Sequence, residues 1–220
     1  MKIIFSILLI VCAATLFTFN SLESTLLESG FSWTMSKMLP YLILGFGGIL
    51  LAYAFAKGFK IKSKIVKVVV VLVLLASPFA LGFAFHPIYQ GDFSSEGADL
   101  AKEKIIVKTD PKYDLLVITI PGCPFCLQSI EHLKLIKKHS PDLKILFSVC
   151  SPNKKDLDLY RGLIADDFDI ALAKDIDASV DLAEGHFPTF VQLKKGIPAY
   201  KWSNDQFGVG AIDKLLGELK

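Results

Sequence analysis

Two cysteines three positions apart, Cys123 and Cys126, are the residues of this chain best suited by type to chemistry, with Pro124 and Phe125 between them. A cysteine thiolate is a nucleophile. A second thiol one helical turn away can close a disulfide onto it, so the pair suits reversible sulfur–sulfur exchange. The neighbouring sequence says where the pair stands. Leu115 to Ile120 is an apolar run rich in β-branched residues, as in a strand buried on both faces. Pro121-Gly122 breaks it. Leu127, Ile130, Leu133 and Ile136 then recur every three residues, the apolar stripe of an amphipathic helix. Lys134, Lys137, Lys138 and His139 suit the helix C-terminus, and Pro141 closes it. The cysteines thus fall where a buried strand becomes a helix. Unpaired N–H groups and partial positive charge there lower a thiol's pKa. Cys123 is expected to be the exposed member, with Cys126 one turn further in. Pro124 fits the first helical position because it has no N–H to lose.

The elements that must hold this pair belong to a chain with two characters. Of 220 residues, 52% are hydrophobic, and the mean hydropathy is +0.49. Membrane segments account for such a composition. The net charge of +2 hides an asymmetry. Met1 to His86 carries seven Lys against two Glu, a net of +5. Pro87 to Lys220 carries 17 Lys and Arg against 20 Asp and Glu, a net of −3. The acidic part has no basic patch interleaved with aromatics, which speaks against a nucleic-acid partner.

Three apolar segments lie in the basic part, residues 1–86. The first, about 3–19, reads as a membrane helix or a cleaved signal peptide. Lys2 alone is a poor positive leader, and the uncleaved helix is the preferred reading. Leu9-Ile10-Val11 before Cys12 lacks the small residue of a lipoprotein cleavage site. The second and third, about 39–59 and 65–85, each approach the ~20 residues that cross a bilayer. Both are nearly free of charge, which argues against burial in a soluble core. Lys57, Lys60, Lys62, Lys64 and Lys67 crowd the short loop between them, which should stay cytoplasmic. The connection 20–38 then faces outward, and the third helix delivers everything after His86 to the outside. Residues 87–104, with Gly91, Ser94, Ser95, Gly97 and several acids, read as a linker. Residues 105–220 are enough for a domain with its own core.

Within that domain, strands and helices alternate. Ile105 to Lys108 is a candidate short strand. Leu143 to Cys150 is the next apolar strand, Lys154 to Phe168 a helix, Ile170 to Ala173 a strand and Asp177 to Glu184 a helix. Thr189 to Leu193 and Ala199 to Trp202 read as a hairpin turned at Lys194-Lys195-Gly196, and Phe207 to Leu219 as a closing helix. The pattern predicts a mixed sheet covered on both faces.

Cys123-Pro124-Phe125-Cys126 after a buried strand, Phe187-Pro188-Thr189-Phe190 opening a later one, and the hairpin-and-helix ending together resemble the thioredoxin superfamily over roughly half of the chain. The resemblance implies an α/β thioredoxin-like fold, a mixed central sheet flanked by helices, preceded here by an α-helical transmembrane region of two or three spans. It implies that Pro188 is cis and packs beside the cysteines, with the Phe187 backbone offered to an extended substrate. It implies catalysis by Cys123 and Cys126, with Pro124 and Phe125 in the active-site loop. No cofactor is implied beyond the Cys123–Cys126 disulfide, and no metal. The substrates would be protein thiols and disulfides. The long stretch from Cys126 to Pro188 is more similar to the membrane-anchored or periplasmic members. That implies a bacterial inner-membrane protein of several spans with its C-terminal domain in the periplasm. Two or three spans, where one suffices as a tether, point to an integral-membrane redox partner as well as the bilayer. The chain also departs from thioredoxin itself. Gly122 precedes Cys123 where a Trp would stand, and Val117 holds the strand position of a buried acid. No residues match a glutathione site.

Other classes compete. A copper-chaperone-like module would use Cys123, Cys126 and His186 as soft and borderline ligands, although no Met cluster supports it. A scaffold for a membrane partner is the third. Cys150 and Cys12 read as small buried apolar residues rather than redox groups. His132, His139 and His186 read as solvated or loop histidines.

Overall fold

Ser32 and Ser63 decide where two long helices begin. In a computed structural model, which describes residues 2–88, 91–100, 107–164 and 167–219, each serine hydroxyl accepts from the backbone N–H three residues on. This satisfies an N–H that the helix start leaves unpaired. The chain divides into two units, Met1–Tyr89 and Gln90–Lys220.

The first unit is helical. Helix α1 (Lys2–Phe17) and helix α2 (Phe19–Glu28) meet at Thr18 with a bend of 74°. Helix α3 spans Trp33–Gly58 and helix α4 spans Lys64–Phe85. Both α3 and α4 are long and apolar enough to cross a membrane, and α1 with α2 would add a third span if the bent pair counts as one. The connection expected at 20–38 is largely helix. In α2, Phe19, Leu22 and Leu26 share a face, and α3 starts at its Ser32 cap rather than at the first apolar residue. Gly48 lets α3 and α4 touch, since a Cβ there would run into the backbone carbonyl of Leu75. Most of the large apolar side chains of α4, among them Val68, Val69, Leu72 and Val73, remain exposed.

The second unit is one mixed sheet. Its strands are β1 (Ala98–Asp99), β2 (Leu115–Thr119), β3 (Ile145–Val149), β4 (Asp169–Leu172), β5 (Thr189–Lys194) and β6 (Ile197–Trp202), in the order β1-β6-β5-β2-β3-β4. β2, β3 and β4 run parallel; β5, β6 and β1 follow antiparallel. Helix α5 (Pro124–His139) joins β2 to β3. Between β3 and β4 come a 3-10 turn, Lys154–Leu157, and helix α6 (Asp158–Ile164). Helix α7 (Ile176–Ala183) precedes β5, and α8 (Val209–Gly217) ends the unit. β2 is buried along its whole length, as its unbroken apolar run dictates. The β5–β6 turn is Lys195-Gly196, both at positive φ (55° and 78°), the arrangement a two-residue hairpin requires. Phe190 stacks on Phe207 with ring centroids 3.8 Å apart, which fastens the segment before α8 to the sheet.

Three expectations need correction. Residues 91–100 are not a linker: β1 pairs with β6, and Tyr200 Oη donates to Gly97 O (2.9 Å). Small residues read as linker composition, yet they are what lets this backbone lie flat on β6; a Cβ at Gly97 would meet the Lys201 carbonyl. The helix expected at Lys154–Phe168 is a 3-10 turn plus the short α6, with Phe168 outside it. Of the short strand expected at Ile105–Lys108, Ile105 and Ile106 lie outside the described residues, and Val107 and Lys108 are irregular.

Candidate active site

Cys123 caps α5. Its Sγ lies 3.2 Å from the Cys126 N–H, which points at it. Pro124 takes the first helical position, where a missing N–H costs nothing. Gly122, at φ 73°, turns the chain from β2 into the helix. Cys123 and Cys126 are joined by a disulfide with 5.2 Å between their Cα atoms. Cys126 is fully covered and Cys123 keeps 8% of its surface, so Cys123 is the less covered of the two but is buried rather than exposed as expected. Phe125, between them in sequence, is 57% exposed.

The second wall comes from the loop between α7 and β5. The Phe187–Pro188 peptide is cis, and Phe187 O lies 3.7 Å from Cys123 Sγ. So the fold brings Cys123, Cys126 and Phe187 together. Thr189 Oγ1 donates to His186 O, which ties the loop to the start of β5. From the other side, Tyr160 of α6 donates its hydroxyl to Ile120 O (2.5 Å), directly before the Pro121-Gly122 turn.

Cys150 directly follows β3, beside the end of β2; its N–H donates to Thr119 O (2.7 Å). It is free and buried among Leu182, Ile118 and Val191. Burial pushes its thiol up to about 11, and a hydrogen bond with Ser179 opposes this weakly. A thiol held so far above neutrality is almost wholly protonated at pH 7. Val117 is fully buried in β2. His132 packs near Phe207, with ring centroids 6.3 Å apart. Among the described residues no three of His, Cys, Asp and Glu gather as they would around a metal ion. His186 instead lines a small polar cavity of about 190 Å³ with Glu184, Thr189 and Lys201. Sequence reasoning missed two residues here: Tyr160 as a support of the cysteine turn, and Lys201. Lys201 is buried, and its Nζ donates to Leu182 O (3.1 Å) and pairs with Glu184 (2.8 Å). A lysine inside an apolar hairpin strand, between Tyr200 and Trp202, was the available signal.

Among solved structures, the chain is similar to a secreted disulfide oxidoreductase of Mycobacterium tuberculosis described as homologous to E. coli DsbE. That likeness has 18% identity and a TM-score of 0.36, over 50% of this chain and 81% of that one. A thioredoxin-like protein from Bacteroides caccae is similar at 17% identity and a TM-score of 0.37, over 91% of this chain and 76% of that one. No protein-family model and no curated protein matches the sequence. Both likenesses are distant. The strand order, the cysteine pair at the start of α5 and the Phe187-Pro188 loop facing it make the second unit a thioredoxin-like fold in their own right.

Proposed function

We propose that the protein is a membrane-tethered thiol–disulfide oxidoreductase acting through Cys123 and Cys126 on protein substrates outside the cytoplasm. One observation carries the reading: a disulfide at the first turn of α5, with the Phe187 carbonyl beside its outer sulfur. In the reduced state the Cys126 N–H and the helix dipole favour the anionic form of Cys123. That thiolate attacks a substrate disulfide, forms a Cys123–substrate mixed disulfide and expels one substrate thiolate. Cys126, deprotonated, then attacks the Cys123 sulfur and expels the second. Two electrons pass from the enzyme dithiol to the substrate, and the released thiolates take up two protons. Run backwards, the same steps oxidise a substrate dithiol. A second dithiol/disulfide couple must restore the enzyme in either direction. Phe187 and Pro188 would receive the substrate chain, with Pro124 and Phe125 between the two cysteines. The chemistry asks for no cofactor beyond this disulfide.

The location proposed is a bacterial inner membrane, with the Lys-rich loop between α3 and α4 inside and the second unit in the periplasm, where disulfides persist. The apolar helices, more numerous than a tether needs, would also meet an integral-membrane redox partner. The test uses the full chain in detergent. Cys123→Ser should bring exchange with a peptide disulfide down to the uncatalysed rate. Cys126→Ala should accumulate a covalent adduct on Cys123, seen by non-reducing gel and mass spectrometry. Full activity in Cys123→Ser would sink the assignment.

A further inference from the structure

An α-helix leaves its last carbonyls without partners inside the helix. At the end of α7, Asp181 O accepts from Glu184 N (3.1 Å) and Ala183 O from His186 N (2.9 Å). Between them, Leu182 O accepts from a side chain of another element, the Lys201 ammonium of β6 (3.1 Å). The same ammonium meets Glu184 Oε1 at 2.8 Å. Glu184 and Gly185 both have positive φ, 50° and 75°, and turn the chain out of α7 into His186-Phe187-Pro188. A cation at a helix C-terminus is electrostatically favoured. Here it also links three things: the helix end, the left-handed turn and the strand. That strand is well anchored. Lys201 pairs with Val191 of β5 on one side and Ala98 of β1 on the other. Three residues past Glu184, the Phe187 carbonyl reaches 3.7 Å from Cys123 Sγ.

We infer that Lys201 is a positioning residue for disulfide exchange. Its ammonium fixes the exit of α7 to the sheet and so holds the Phe187 backbone at the height where an extended substrate chain meets the Cys123 sulfur. This deepens the reading of Cys123 as the attacking group and rests on it. The tether acts on chain docking and leaves the sulfur's own attack alone. It therefore separates two kinds of substrate. A peptide disulfide needs Phe187 in register; a small aromatic disulfide, which makes no backbone pairing, does not.

The reduced full chain in detergent is reacted with a disulfide-bridged peptide and, separately, with dithiobis(nitrobenzoate). Lys201→Met keeps the apolar stem and removes the donors. It should slow the peptide reaction about tenfold, less than the ~10²-fold that a 1 Å misplacement can cost, and leave the small disulfide within about twofold. Lys201→Arg, which keeps a donor and the charge, should restore the peptide rate. Glu184→Ala, at an exposed side chain, supplies a second variant if the first does not fold, and should lose a smaller part of the peptide rate alone. Equal losses on both substrates, or no loss on either, would overturn the inference. A wild-type chain inert to both would overturn the underlying reading of Cys123 instead.

Discussion

The ends of β2 and β3 lie side by side, and each delivers a cysteine. Cys123 keeps 8% of its surface and Cys150 keeps 7%, so solvent exposure does not tell them apart. The segment into which each strand runs does. After β2, Pro121-Gly122 turns the chain directly into α5, and Cys123 becomes the cap of a helix with a backbone N–H aimed at its sulfur. After β3, the chain runs through Ser151 and Asn153 to a 3-10 turn, and Cys150 stays in an apolar cluster with Leu182 and Val191. One sulfur meets a positive helix end; the other meets hydrocarbon, and its thiol rises to about 11. With residue type and exposure alike, the contrast lies in what surrounds each sulfur: a helix start favours a thiolate and apolar packing disfavours one.

The most direct attempt to break this contrast is site-resolved alkylation of the reduced folded chain at pH 7, read by mass spectrometry. Cys123 should react at least about a hundredfold faster than Cys150, because only the thiolate reacts and a thiol raised by burial holds almost none of it. Denaturation should erase the difference. Comparable rates in the folded state would mean that the helix start confers nothing. A smaller effect is expected from loosening only the β2 end. Tyr160→Phe removes the hydroxyl that holds Ile120 O and should cost about 1 kcal/mol of stability by denaturant unfolding, the typical net value of one hydrogen bond. It should also lower the Cys123 alkylation rate without touching that of Cys150. If both cysteines respond alike, Tyr160 supports the core in general and not the cysteine turn.

Much of this site was legible because its signals are local. The break at Pro121-Gly122, the three-residue apolar recurrence in α5 and the Cys123–Cys126 spacing each act within one turn of chain. The loop at Phe187-Pro188 could be placed only through a family resemblance, since nothing in its own residues says what it faces. Lys201 stands out in the sequence as a lysine between Tyr200 and Trp202, but its inward orientation was harder to read. The β5–β6 pairing shifts register between Gln192 and Leu193, so alternation along the hairpin does not report which side chains point inward. Residues 91–100 misled through composition. Glycine and serine suggest solvated chain, but here they allow a backbone to approach β6 closely. The long helices were found by their apolar runs, yet α3 begins at Trp33 rather than near Leu39, because caps and not hydrophobicity fix helix ends.

The finest test of the contrast uses stability as a function of pH. The ordinary value for a cysteine thiol is 9.0, and burial pushes folded Cys150 up to about 11. Below about pH 9 the thiol is protonated in both states and adds no pH dependence. Between about 9 and 11 the unfolded chain gives up this proton while the folded chain keeps it, so the native state loses stability as pH rises. Other groups titrate in that window, but they are common to wild type and Cys150→Ala. The difference between the two unfolding curves isolates the thiol. The wild-type curve should fall more steeply than that of Cys150→Ala from pH 9 upward and run parallel to it below. Parallel curves throughout would mean that Cys150 ionises as readily folded as unfolded. Hydrocarbon would then no longer explain its silence, and the two strand ends would differ only in whether a helix comes next.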